Sequence, residues 1–279
     1  MELRTLLLFV DESAEFERRA RLAAELAAKW DAHLVGLAVA DVMLVPEFVP
    51  TQTLETQLQL AGERNERLRE RFERLVGGRQ LVTEWRATDT VSAGGTVLDV
   101  LARHSRYADL AVVGQPDVGD VTSVVPRDLP GQLCLMSGRP VLATPYAWRE
   151  QPIGRRVLVA WDAGRESARA VSDSLPLLKA ADEVRVLALT GTSRDAAHGE
   201  QPAADIATHL ARHGVNVEAA HQSLGDLDVA SALLSAASDY GADMMVMGAY
   251  GRTRMREMVL GGATRGVLES MTLPVFLSH

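Results

Sequence analysis

Lysine, cysteine and aromatic residues are scarce in this sequence, and each scarcity removes a class of function. Only Lys29 and Lys179 are lysines among 279 residues, so the 29 basic side chains are nearly all arginine. The formal net charge of −8 disfavours nucleic acid as a partner, since non-specific binding needs a basic face. Aromatics are 5%, which argues against a stacking platform for bases. The one cysteine, Cys134, sits between Leu133 and Leu135. It can close no internal disulfide, fits a reducing compartment, and has the context of a small buried hydrophobe. No uncharged apolar run approaches the roughly 18 residues of a membrane span. Leu6 to Val10 is apolar, but Asp11 and Glu12 end it, so it is no secretory leader. The expectation is a soluble, cytoplasmic chain with neither membrane nor nucleic-acid partners.

Catalytic signatures are missing as well. There is no G-x4-G-K-[ST] loop and no lysine near any glycine cluster, which excludes a P-loop. No G-x-S-x-G elbow occurs. His209 and His213 share a helix face and His221 follows, but no H-E-x-x-H carboxylate or clustered cysteine completes a metal site. Nothing assembles a general acid, a base and a nucleophile.

What is present is alternation. Hydrophobic residues make up 47%, enough for two cores, and the length suits two domains of about 140 residues. Leu6 to Val10 and Leu34 to Val39 are strands, with Ala20, Leu22, Ala23, Leu26 and Ala27 at helical spacing between them. Asp41 to Pro50 is apolar and broken by two prolines. A long helix follows from about Leu54 to Val76, its outer face alternating Glu and Arg. Leu81 to Arg86, Leu110 to Val113 and Pro140 to Thr144 complete the strands of the first half, with a helix over Val91 to Arg106. Tyr146 to Arg155 is a polar join. The order then repeats, from strand Arg156 to Trp161 to a last strand, Pro274 to Leu277. Strands alternating with helices imply α/β architecture: two tandem Rossmann-like, doubly wound domains, each a mostly parallel five-stranded sheet flanked by helices. The domains are 1–148 and 154–279.

The repeat is visible by offset. Asp11 matches Asp162 and Val35 matches Val186 at a shift of 151. Ala108 to Gly114 matches Ala242 to Gly248, and Pro140-Val141 matches Pro274-Val275, at a shift of 134. The difference of 17 places an insertion within 41–80. Met43, Leu44, Val45, Phe48 and Val49 in that region either cover the first domain's core, fill a site's mouth, or form an interface.

The most informative stretch follows Met244 to Met247. Gly248, Gly251, Gly261 and Gly262 are spaced G-x2-G-x9-G-G between that strand and a helix over Ala263 to Met271. Glycine lets backbone N–H groups approach a ligand, and a helix start adds N–H donors and a positive dipole end, so the geometry suits a polyphosphate. A single glycine pair would be an ordinary turn; four at this spacing are harder to dismiss. The motif, and the chain as two copies, resembles the universal stress proteins. Their nucleotide-binding members carry G-x2-G-x9-G followed by Ser or Thr, where this chain has Gly262.

The resemblance implies a stress-response regulator binding an adenine nucleotide, ATP with Mg2+, and no enzymatic activity beyond slow hydrolysis. It places Ala160, Trp161 and Asp162 near the adenosine and Leu189 against the base. It implies that Met247, Gly248, Gly251, Arg252, Gly261, Gly262, Ala263 and Thr264 surround the phosphates, with Thr264 offering a hydroxyl two residues past the expected place. It also implies pairing of the two domains through their last strands, with homodimerisation left open. Asp162 read alone is equally an N-cap in a strand–helix turn. Carried back by 134, Gly251 becomes Asp117, Gly261 becomes Arg127 and Gly262 becomes Asp128. Like charge at about 4 Å and effective dielectric near 20 costs roughly 4 kcal/mol, so one site is expected, in the second half. The alternatives are a scaffold of the same fold that binds no nucleotide, or an adenine-nucleotide α-hydrolase enzyme. The latter expects a Ser-Gly-Gly-x-Asp-Ser loop, and Asp162 to Ser167 does not match it.

Overall fold

The computed structural model describes residues 2–42, 51–116, 125–191, 203–251 and 262–279. Met43, Leu44, Val45, Phe48 and Val49 lie outside them, as do Asp117, Arg252 and Gly261. The chain divides into two compact units, Glu2–Arg139 and Pro140–His279.

In the first unit, β1 (Thr5–Val10), β2 (His33–Ala40), β3 (Thr83–Asp89) and β4 (Leu110–Gly114) form a parallel sheet ordered β3-β2-β1-β4. The central strands are continuous apolar runs because helices cover both faces. Those helices are α1 (Phe16–Trp30), α2 (Thr51–Val76), α3 (Thr90–Ala93), α4 (Val97–Ser105) and α5 (Leu129–Ser137). The single helix expected over Val91 to Arg106 is two. Gly94 and Gly95 both adopt positive φ (64° and 119°), which no helix accommodates, and the chain restarts at Thr96. There Thr96 and Asp99 form a reciprocal capping box. Their hydrogen bonds hold the Asp99 carboxyl below its usual range. Helix α5 was not anticipated.

In the second unit, β6 (Arg156–Trp161), β7 (Glu183–Thr190), β8 (Val217–Ser223), β9 (Met244–Gly248) and β10 (Val275–Ser278) are joined by β5 (Val141–Thr144). The order is β5-β10-β9-β6-β7-β8. All pairs are parallel except β5 with β10, where Val141, Leu142 and Ala143 face Leu277, Phe276 and Val275. That pairing puts β5 with the residues after it, so the compact unit starts at Pro140, ahead of the join at Tyr146 to Arg155. The helices are α6 (Arg165–Lys179), α7 (Ala204–Arg212), α8 (Val229–Tyr240) and α9 (Gly262–Ser270). Among the described residues no helix is long and apolar enough to cross a membrane.

The two units repeat a clamp at the foot of the sheet. Asp109 accepts the N–H groups of Arg4 and Thr5, at 2.8 and 2.9 Å. Asp243 does the same for Gly154, Arg155 and Arg156, at 2.6, 3.0 and 2.9 Å. Burial still pushes the Asp243 carboxyl up, against those hydrogen bonds.

Candidate nucleotide site

In each sheet the chain runs outward through three strands and then returns to the other side of the first. The order reverses between β1 and β4 in one unit and between β6 and β9 in the other. A doubly wound sheet opens a crevice at the carboxyl ends of those two strands, and ligands bind there.

Around the second crevice the structure gathers most of the anticipated residues at one edge. Ala160 and Trp161 end β6, and Asp162 follows. Leu189 lies near the end of β7, while Met247 and Gly248 end β9. Asp162 Oδ1 accepts the Gly164 N–H at 2.9 Å, closing a turn in which Ala163 is left-handed at φ 56°. Gly164 then caps α6 through an extended backbone, without a side-chain hydrogen bond. So Asp162 shapes the turn into α6, and the turn presents the helix start to the crevice.

Gly248 has a packing reason to be glycine. A Cβ there would lie 2.6 Å from the Glu166 carbonyl carbon and the Ser167 nitrogen, so β9 and the first turn of α6 meet backbone to backbone. The next residues dock α9. Tyr250 is left-handed at φ 50°, and its N–H donates to Thr264 Oγ1 at 3.1 Å. Thr264 is 4% exposed. By accepting this N–H, its hydroxyl oxygen ties the first turn of α9 to the end of β9. The result brings Gly262 and Ala263 close in the fold to Gly248 and Gly251, at the helix end where N–H groups lack intrahelical partners. Among the described residues, none would lie within 4 Å of a Cβ at Gly262.

Sequence reasoning missed Gly266. A Cβ on it would lie 2.7 Å from the Ala230 Cβ, so it sets the approach of α9 to α8. Its signal was a glycine inside a helix, which needs a packing reason. Asp173 was also missed. It is buried on α6 and accepts from Ser278 Oγ at 2.6 Å and Arg169 Nε at 2.7 Å, pinning β10 to the helix.

The crevice offers little to a metal directly. Asp162 is committed to Gly164, Glu166 pairs with Arg165 at 3.2 Å, and no cluster of three ligating side chains occurs among the described residues. His209 and His213 stack edge to face, with ring centroids 4.7 Å apart. A separate cavity of about 570 Å³ opens at the opposite ends of β6, β7 and β8. Its charges neutralise each other, Arg156 with Glu183 at 3.1 Å and Arg185 with Glu218 at 2.6 Å, so it does not suit a polyphosphate.

The first crevice is built differently. Asp11 accepts from Ser13 at Oδ1, by N–H at 3.0 Å and by Oγ–H at 2.5 Å. Its Oδ2 accepts from Arg19 Nη2 at 2.6 Å. Burial alone would raise this carboxyl, but the Arg19 charge and the Ser13 and Arg19 hydrogen bonds outweigh it, and the net shift is downward. Asp128, aligned with Gly262, is buried just ahead of α5. Arg127 precedes it.

Fold and crevice define a doubly wound α/β protein with a glycine-lined strand-to-helix site. The universal stress protein family profile matches residues 154–279. That second half is a universal stress protein domain, and the first half carries the same fold. A universal stress protein from Archaeoglobus fulgidus superposes at TM-score 0.71 with 16% identity, covering 99% of this chain and 96% of its own. A putative universal stress protein from Pseudomonas aeruginosa gives 0.60 and 16%, covering 99% and 93%. A universal stress protein in complex with cAMP matches at 0.38 and 18%, covering 51% of this chain and 97% of its own. None of the curated proteins is detectably similar in sequence.

Proposed function

We propose that the chain is a nucleotide-responsive regulator that binds one adenine nucleotide, ATP, in the crevice between β6 and β9, and acts without catalysis. The observation that carries this reading is the docking of α9. Thr264 holds Tyr250, which sets the glycine-led start of a helix beside the strand end that carries Gly248. Phosphates would take the N–H groups of Gly262 and Ala263, adenosine would lie toward Asp162 and Leu189, and Mg2+ would come with the phosphates.

Calorimetric titration of the intact chain with Mg-ATP is the test, with one site per chain expected. Two equivalent sites would overturn the asymmetry between the halves. No binding would favour the second reading, a scaffold acting through protein contacts. The absence of a hydroxyl at 262 is the observation on that side.

A further inference from the structure

The first unit buries a charge that its lack of a glycine motif does not explain. Arg19 lies on α1 in the stripe of Phe16, Leu22, Ala23 and Leu26, and is 1% exposed. Its Nη2 reaches Asp11 at the end of β1, and its Nη1 lies against Gly114 at the end of β4, where a Cβ would collide with it. Nε has no hydrogen-bond partner. The Phe16 ring lies 5.7 Å from the guanidinium carbon, and Arg71 of α2 stands 5.1 Å from the same ring. The cation therefore occupies the switch point itself.

At the shift of 151, the counterpart of Arg19 is Ala170. In that unit Gly248 touches the backbone of α6 directly, with no side chain interposed. The neighbouring strand end of the first unit is covered too. Ala61 of α2 packs on Ala40 and Val42, with Leu54, Leu58 and Val91 against them. Arg64 of the same helix pairs with Glu12 at 3.0 Å, beside Asp11. A buried arginine survives only where a partner and a fitted space offset its lost hydration, and here both are built.

We propose that the first crevice is filled by the chain itself: Arg19, held by Asp11, is a resident cation at the switch point, α2 closes the end of β2, and no nucleotide enters. The inference stands whether or not the second unit binds ATP.

Two measurements on the full chain test it. With 15N-labelled arginine, the Arg19 side-chain N–H signals, assigned through Arg19→Lys, should exchange slowly with water and stay unmoved by millimolar Mg-ATP. Arg19→Ala should melt on the order of 10 °C lower. Millimolar ethylguanidinium should restore that loss saturably, ethylammonium at equal ionic strength should not, and adding Asp11→Asn should abolish the rescue. Fast exchange at Arg19, a shift of its signals by ATP, an unchanged melting temperature, or equal rescue by both cations would each overturn the proposal. The wild-type spectra decide the matter even if Arg19→Ala does not fold. Failure of ATP to bind anywhere would leave the exchange and rescue results readable, so the two readings fail separately.

Discussion

Gly262 stands where the family resemblance implies Ser or Thr, and no described residue crowds it. With no described residue within 4 Å of an added Cβ, Gly262→Ser should fold as the parent does. It should tighten ATP by roughly tenfold, the value of one hydrogen bond to a charged oxygen. Calorimetry on the variant checks this, and an unchanged affinity would place the nucleotide in another pose. Asp11 gives a prediction in pH. Its folded-state carboxyl lies below the unfolded value of about 3.9. The stability it supplies is therefore complete above that unfolded value and is lost as pH falls through the lower, folded one. The melting temperature of Asp11→Asn should trail the wild type by a constant amount above about pH 5, and the gap should begin to narrow near about pH 4 and close only below the folded-state value. A gap that persists into acid would mean that Asp11 is not the titrating group.

Among the elements, α2 has the most distinct role. Its inner face is apolar: Ala61, Leu68, Phe72 and Val76 are buried, and Leu54, Leu58 and Leu75 are half-buried. Phe72 lies over Gly36, where a Cβ would be 2.9 Å from its ring, and its centroid is 5.6 Å from that of Trp85. Gly36 is thus the slot in β2 that receives the ring. Phe72→Ala should cost about 3–5 kcal/mol in urea unfolding, because the ring leaves a cavity that a glycine floor cannot refill. A loss under about 1 kcal/mol would show that α2 is only loosely seated. Helix α5 shows the opposite outcome. Its apolar, proline-containing sequence has no clear helical period, yet the shift of 134 applied to the helix expected over Ala263 to Met271 lands on Leu129 to Ser137. The repeat held information that local periodicity did not.

For the molecule as a whole, the consequential finding is the place of β5. Val275, Phe276 and Leu277 are fully buried, with β5 along one side of them and β9 along the other. A fragment 154–279 lacks β5 and exposes an apolar strand edge, which invites pairing with a second copy. It should self-associate by light scattering, and more strongly than a fragment 140–279, in which β5 covers the β10 edge. Equal masses for the two fragments would show that β5 is dispensable for covering β10.

The sequence by itself determined the α/β alternation, the tandem repeat and its two offsets, and the glycine-rich stretch after β9. These are local or self-similar signals: apolar period, residue spacing and matched motifs. Helix ends and breaks were partly legible, since the double glycine at 94 and 95 marks its own interruption. What each named side chain does was not. Gly248 is held by contact with α6 across 82 residues of sequence, Thr264 by a hydrogen bond to Tyr250, and Arg19 by partners at the ends of two separate strands. An arginine in an apolar helical stripe was a visible anomaly, but only the approach of β1 and β4 shows the space it fills. Tertiary structure decided these roles because each depends on distances between elements, and no spacing along the chain encodes them.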